Sequence, residues 1–126
     1  MLESSAPKDE AKLTNPLLNL ATALTDNKSF AEAKTVMLRL LKIRTRLHGP
    51  NSEQVADIHN RLGVLYHRSG AIELAEEQLH KALSIREITL GANHQLLAES
   101  CTNLATVLMQ QSRLNEALPL LRHAAQ

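Results

Sequence analysis

The stretch that decides the fold is residues 52–93, which read SEQVADIHNRLGVLYHRSGAIELAEEQLHKALSIREITLGAN. Apolar residues recur at intervals of three and four over 55–66 and again over 72–85, a spacing that predicts two amphipathic helices. Ser52 is a suitable N-cap for the first helix, and Gly70 provides the break after it. These 42 residues therefore predict one helical hairpin.

The hairpin is repeated, because the chain matches itself when it is shifted by 42 residues. The coinciding positions hold a leucine, a small residue, an alanine and a large apolar residue: Leu20, Leu62 and Leu104; Ala21, Gly63 and Ala105; Ala33, Ala75 and Ala117; Met37, Leu79 and Leu121. Small residues let two helices approach closely, and large residues fill the space beside them. We therefore predict two full copies of the hairpin and most of a third.

The predicted fold is an all-α superhelix, or solenoid, of about three antiparallel hairpins with no strands. The predicted repeats span about 14–51, 52–93 and 94–126, the last being incomplete. Outside the middle copy, helices are expected near 16–27, 30–47, 94–110 and 113–126. Asn15 is expected as the cap of the first helix and Pro16 as its first residue. Residues 1–13 carry Ser, Pro and charge, and are predicted as a flexible or weakly helical leader.

Composition excludes several classes of function. Fourteen basic and thirteen acidic residues give a net charge of +1, without the basic excess of a nucleic-acid binder. Phe30 and Tyr66 are the only aromatic residues, too few for stacking on single-stranded nucleic acid. No apolar run is long enough to span a membrane and no secretory signal is present, so the expected compartment is the cytoplasm.

Candidate chemistry is sparse, so neither an enzyme nor a cofactor is predicted. The six histidines lack metal-ligand spacing and accompanying acids. Cys101 lies on an apolar stripe with nothing nearby to lower its pKa, which favours a buried structural thiol over a nucleophile. No phosphate-binding loop or nucleophile elbow occurs.

The middle copy resembles the tetratricopeptide repeat, specifically the 42-residue version of kinesin light chains. The motif residues stand here as Leu62-Gly63-x-x-Tyr66, Ala75, Leu79 and Ala82, and residues 82–94 extend the likeness with ALSIREITLGANH. The resemblance covers about 15–126 and implies a superhelix that binds peptides. The heptad region that joins a motor light chain to its heavy chain is not found, so a motor subunit is not predicted.

By this resemblance, the first helix of each repeat lines a concave groove. The implied inward positions are Asn15, Leu18, Asn19, Thr22 and Asp26 in the first copy, Asn60, Arg61, Val64, His67 and Arg68 in the second, and Thr102, Asn103, Thr106, Met109 and Gln110 in the third. Asn19 and Asn103 stand directly before the motif leucine, where the family's asparagine can hydrogen-bond a peptide backbone. Arg61 takes that place in the middle repeat.

Arg61 and Arg68 are seven residues apart and so share a helix face, with His67 beside them. We hypothesise that they attract an acidic peptide segment through guanidinium–carboxylate contacts. The alternative is that both arginines only solvate the helix. The carboxylate clamp of chaperone-binding members is not evident, because Leu18, Thr22 and Val64 occupy some of its positions.

Self-association is the alternative function. Leu118, Leu121 and Ala125 would form an apolar edge on the last helix, and solenoids ordinarily cover such an edge with another repeat or a cap. Either the chain is a segment of a longer repeat protein, or the edge pairs with a second copy about a two-fold axis. The expected partners are therefore a protein or peptide, or a second copy of the chain, and neither nucleic acid nor membrane.

Overall fold

The computed structural model describes residues 7–91 and 94–126, and over these ranges the chain forms six α-helices and no strand. In chain order the helices are α1 (Pro7–Asp26), α2 (Phe30–His48), α3 (Glu53–Ser69), α4 (Ile72–Thr89), α5 (Gln95–Gln110) and α6 (Leu114–Ala124). The most extensive pairings are α1 with α2, α3 with α4 and α5 with α6, each joined by a short turn. The all-α fold of three helical hairpins is confirmed.

The turn inside each hairpin has the same geometry in all three repeats. Lys28, Gly70 and Ser112 lie 42 residues apart and all have a positive φ, of 64°, 90° and 59°. After each of them a backbone N–H reaches back over the helix end: Ser29 to Leu24, Ala71 to Tyr66 and Arg113 to Leu108, at 2.8, 2.8 and 2.9 Å. This left-handed ending satisfies carbonyls that the helix leaves unpaired. The 42-residue repeat therefore extends to backbone conformation, although only one copy carries glycine at the turn.

Small residues bring the two helices of each hairpin together. Ala21 and Ala105 are fully buried, and Gly63, which lies between them in the repeat register, is buried as well. A Cβ on Gly63 would lie 2.4 Å from Cδ2 of Leu79, so the middle hairpin is packed too closely there for an alanine without movement. The pairing of a small residue with a large apolar one is the contact that the sequence predicts.

The first helix begins earlier than expected. α1 starts at Pro7 instead of near residue 16, so Asn15 is not a cap and Pro16 lies inside the helix. Glu10, which is buried, pairs with Arg46 of α2, and this contact holds the extra turns against the hairpin. Proline removes one helical hydrogen bond, and here tertiary contact on its N-terminal side outweighs that loss. Residues 1–6 of the predicted leader lie outside the described residues.

The core is continuous along the stack. One buried cluster joins α1 and α2 to Ile58, Leu62 and Leu65 of α3, and another joins α4 to α5 and α6. Tyr66 packs against both clusters. Ser52 caps α3 by accepting the N–H of Val55, as predicted. Among the described residues, no helix combines the length and apolar character that crossing a bilayer requires.

Candidate functional site: a groove between alternate helices

A groove of about 380 Å³ lies between α1, α3 and α5, and Met37 of α2 also lines it. It is lined by residues from all three repeats, because successive hairpins place their first helices side by side. Six of the ten binding residues selected from the sequence line it: Thr22, Asn60, Arg61, Val64, Arg68 and Asn103. The other four, Asn19, His67, Thr106 and Gln110, do not line this groove.

Arg61 is held by a carboxylate on its own helix. Its Nε donates to both oxygens of Asp57 at 3.2 Å, and Asp57 also accepts a bond of 3.0 Å from Arg44 of α2. Asp57 thus has two guanidinium partners within hydrogen-bond distance. Because Arg61 uses Nε for this bond, its two terminal nitrogens keep the planar donor edge that suits a carboxylate.

Arg68 makes a looser ion pair at the other end of the groove. Its terminal nitrogen lies 3.5 Å from an oxygen of Asp26 on α1, and the Asp26 side chain is 71% exposed. A contact of this length between exposed groups contributes little to stability. The guanidinium of Arg68 can therefore change partner at low cost.

Two asparagines connect the second repeat to the third across the groove. The side-chain amide of Asn103 donates to the carbonyl oxygen of Asn60 at 3.2 Å, and the Asn60 amide donates to Glu99 at 3.4 Å. Asn60 is buried, whereas Asn103 is only partly buried. The buried amide therefore orients the more exposed one.

The hydroxyl groups of the groove are directed to their own helix. Thr22 and Thr25 donate to carbonyls one turn earlier, those of Leu18 and Ala21, at 3.0 and 2.8 Å. With the partly buried side chain of Val64, their methyl groups give the groove an apolar component. Its lining charges are two arginines and three carboxylates, so the groove has no strong net charge.

His67 has a structural contact outside the groove. Its Nε2 lies 2.7 Å from the side-chain oxygen of Gln110, a bond that links α3 to α5. Thr106, another predicted residue outside the groove, donates its hydroxyl hydrogen to the carbonyl of Thr102 on its own helix. His67 therefore joins two repeats and does not line the groove beside Arg61 and Arg68.

Four lining residues were missed by the sequence reasoning: Thr25, Met37, Asp57 and Glu99. Asp57 and Glu99 could have been predicted from the repeat register, because they lie 42 and 84 residues after Asn15. Asn15 was already among the predicted inward positions. Met37 belongs to a second helix, and the resemblance assigned the groove to first helices alone.

The part of the chain that the structure describes holds further candidate reactive groups outside the groove, among them His59 and Cys101. Within those residues, no group of three or more His, Cys, Asp or Glu side chains is placed to hold a metal ion. Burial lowers the pKa of His59, whose Nδ1 lies 2.8 Å from Gln78, and the nearby Lys81 adds to the lowering. Cys101 is buried, and burial raises the pKa of its thiol. That shift favours the protonated, unreactive form.

The predicted apolar edge lies on α6 and on Ala125, the residue that follows it. Leu121 packs against the core formed with α5, and Leu118 is also partly buried, whereas Ala125 is exposed. The edge is thus partly covered by its own hairpin.

Comparison with known proteins identifies the repeat. The family model for the tetratricopeptide repeat matches residues 12–88 and 55–126. A search of curated proteins found no significant match. Among solved structures, BtubC (BKLC) from P. vanneervenii is 26% identical with a TM-score of 0.85 over 90% of this chain and 46% of its own.

Two more distant structures share the fold. A protein of Podosopora anserina, described as a putative kinesin light chain with nearly identical TPR-like repeats, is 22% identical with a TM-score of 0.80, over 91% of this chain and 54% of its own. A mutant of the protein MamA is 18% identical with a TM-score of 0.63, over 89% of this chain and 70% of its own. The chain spans about half the length of the first two structures.

Proposed function

Because this chain belongs to the tetratricopeptide repeat family, whose repeats generally mediate protein–protein interaction, we propose that it is a non-catalytic scaffold that binds a peptide segment of a partner protein. The binding site is the groove between α1, α3 and α5. The observation that carries the proposal is that side chains from three separate repeats line one groove. A site built in this way suits an extended ligand that follows the stack.

Asn103 contacts the peptide backbone. Its bond to Asn60 uses one amide hydrogen, and the second hydrogen and the carbonyl oxygen provide one donor and one acceptor. An extended peptide presents that same pair of groups at each residue. Since Asn60 is buried and holds the Asn103 amide in place, little side-chain entropy is lost when the peptide binds.

Arg68 takes an acidic side chain of the peptide, with Arg61 in support. The 3.5 Å contact of Arg68 with the exposed Asp26 is easily exchanged for a better-aligned carboxylate. Arg61 stays anchored through Nε and offers its terminal nitrogens to a second carboxylate. The proposed ligand is therefore an extended peptide with acidic side chains near its middle.

Selection from a random peptide library displayed on phage, followed by fluorescence anisotropy with the enriched peptides, tests this function. Enrichment of Asp and Glu is expected. We expect Arg68→Ala to weaken binding of those peptides about tenfold, which corresponds to about 1.4 kcal/mol. Asn103→Ala is expected to weaken all enriched peptides, whatever their side chains.

Arg39→Ala is the matched control, because Arg39 is an exposed arginine of α2 that does not line the groove. Each variant is first checked for unchanged helicity by circular dichroism. Enriched peptides without acidic residues would refute the acidic ligand. Affinity that Arg68→Ala, Arg61→Ala and Asn103→Ala all leave unchanged would refute the groove as the binding site.

Self-association through the α6 edge is a second candidate. The observation that favours it is one of register: Leu121 and Ala125 lie 42 residues after Leu79 and Leu83, which are buried in the preceding repeat. Ala125 is exposed, unlike Leu83. Light scattering tests this candidate, since an associating edge gives a molar mass above 13.9 kDa at high concentration.

A further inference from the structure

The N-terminal end of the stack presents an apolar face that the other two repeats bury. Leu20 is 47% exposed, whereas its register counterparts Leu62 and Leu104 are 0% and 1% exposed. Pro16 and Ala23 lie on the same face of α1 and are also exposed. Their counterparts are buried without exception: Ile58 and Leu65 in the second repeat, Ser100 and Val107 in the third. We call Pro16, Leu20 and Ala23 the N-face.

The C-terminal end presents the opposite half of the same contact. Leu121 of α6 and Ala125, which follows that helix, are the register counterparts of Met37 and Leu41 in α2 and of Leu79 and Leu83 in α4. These two residues form the C-face.

Both internal junctions show how two such faces fit. At the first junction, Ile58, Leu62 and Leu65 of α3 share one buried cluster with Met37 of α2. Leu41 packs against Val55 and Ala56.

The second junction repeats this arrangement. Leu104 and Val107 of α5 share a cluster with Leu79 and Leu83 of α4. The N-face and the C-face therefore hold the register positions of the apolar part of an interface that the molecule already makes twice.

We propose that the C-face of one copy of this chain packs on the N-face of a second copy, in the register of the internal junctions. The proposal rests on self-association, the second candidate function, and it specifies the surface that the α6 edge contacts. A two-fold dimer would place two C-faces against each other, and no such contact exists between the repeats. Because the two faces are different surfaces, the association is head-to-tail and does not close on itself, so stacks lengthen as concentration rises.

The first measurement is molar mass by sedimentation equilibrium of the 126-residue chain over a hundredfold range of concentration. The expected result is a weight-average mass that rises from 13.9 kDa and passes beyond twice that value without a plateau. A mass of 13.9 kDa at every concentration would overturn both this proposal and self-association as a function.

Two variants that each block one face separate the head-to-tail contact from a two-fold dimer. Leu20→Glu removes the N-face and Ala125→Glu the C-face, and both sites are exposed, so folding is expected to be retained. Each variant alone is expected to stay monomeric. An equimolar mixture is expected to form a one-to-one dimer and nothing larger, because one open C-face meets one open N-face.

A two-fold dimer gives a different pattern: Leu20→Glu still dimerises, and the mixture shows no heterodimer. That pattern would overturn the head-to-tail contact and leave self-association intact. Leu121→Glu is a second C-face variant, used with circular dichroism to confirm helicity. Ile88→Glu is the control, since Ile88 is 87% exposed and lies on α4, away from both faces, and wild-type behaviour is expected of it.

Discussion

The two junctions between repeats use the same arginine position with different chemistry. Arg44 and Arg86 are 42 residues apart, and each donates to a backbone carbonyl of the next hairpin, of Gln54 at 3.0 Å and of Leu96 at 3.3 Å. The acidic partners of these two arginines are also 42 residues apart. Arg44 lies 3.0 Å from Asp57, and Arg86 lies 3.6 Å from Glu99.

The surroundings of these arginines differ. Ile58, an apolar residue, is buried at the first junction, and its counterpart at the second junction is Ser100, which accepts a 2.8 Å bond from Arg86. Arg86 also donates to both oxygens of Glu53 at 3.1 Å and is only 1% exposed. Arg44 is 12% exposed. The repeat register thus sets where the guanidinium lies, and neighbouring residues decide whether the junction is mainly apolar or mainly polar.

The largest expected effect follows from removing the buried arginine. Arg86→Ala leaves a cavity at the second junction and removes the partner of Glu53 and Ser100. Breaking a fully buried ion pair costs about 3–5 kcal/mol. Because Glu53 is 30% exposed and can be hydrated, we expect a loss of about 2–4 kcal/mol in the free energy of unfolding. Urea denaturation followed by circular dichroism measures it.

The matched control for Arg86→Ala is Arg122→Ala, which removes an exposed arginine from α6 and is expected to change stability by less than about 0.5 kcal/mol. If the two variants were equally stable, the buried network would not hold the second junction together.

The equivalent change at the first junction sharpens the comparison. Arg44→Ala is expected to cost about 1 kcal/mol, because Asp57 keeps its bond to Arg61 and the junction keeps the apolar contact of Ile58. The same urea titration measures it. A cost as large as that of Arg86→Ala would show that burial of the arginine does not distinguish the junctions.

The hairpins were predictable from the sequence because their determinants are local. Spacing of apolar residues and the register of Gly63 with Ala21 and Ala105 predict the six helices. The early start of α1 was not predictable, because it depends on Glu10 meeting Arg46, 36 residues later.

The groove was predicted in part. Arg61 and Arg68, which helix spacing places on one face, both line the groove, and their contact with a peptide stays a prediction. Their pairing with Asp57 and Asp26 was not foreseen. An ion pair within one helix can be found by searching four residues back, whereas the contact of Arg68 with α1 depends on how two hairpins pack.

The smallest expected effect is a difference in acid sensitivity between the junctions. Glu76 of α4 accepts bonds from Gln111 at 3.0 Å and from Arg113 at 2.7 Å, whereas its counterpart at the first junction is the exposed Lys34. Burial acts to raise the pKa of Glu76, but these bonds and the charge of Arg113 outweigh it and lower the pKa. The carboxylate thus stabilises the second junction above the pKa it has in the unfolded chain, and this contribution is lost as pH falls through the lower folded value.

We therefore expect the free energy of unfolding to fall less in Glu76→Gln than in the wild type between pH 7 and pH 3.5. The difference between the two falls is expected to be under about 1 kcal/mol, measured by urea titration at each pH. Lys34→Gln is the control and should keep the wild-type pH dependence. Some acid sensitivity should remain in Glu76→Gln, because Arg113 also lowers the pKa of Glu116. Identical pH profiles for the wild type and Glu76→Gln would show that the contact of Glu76 with Arg113 adds no stability to the second junction.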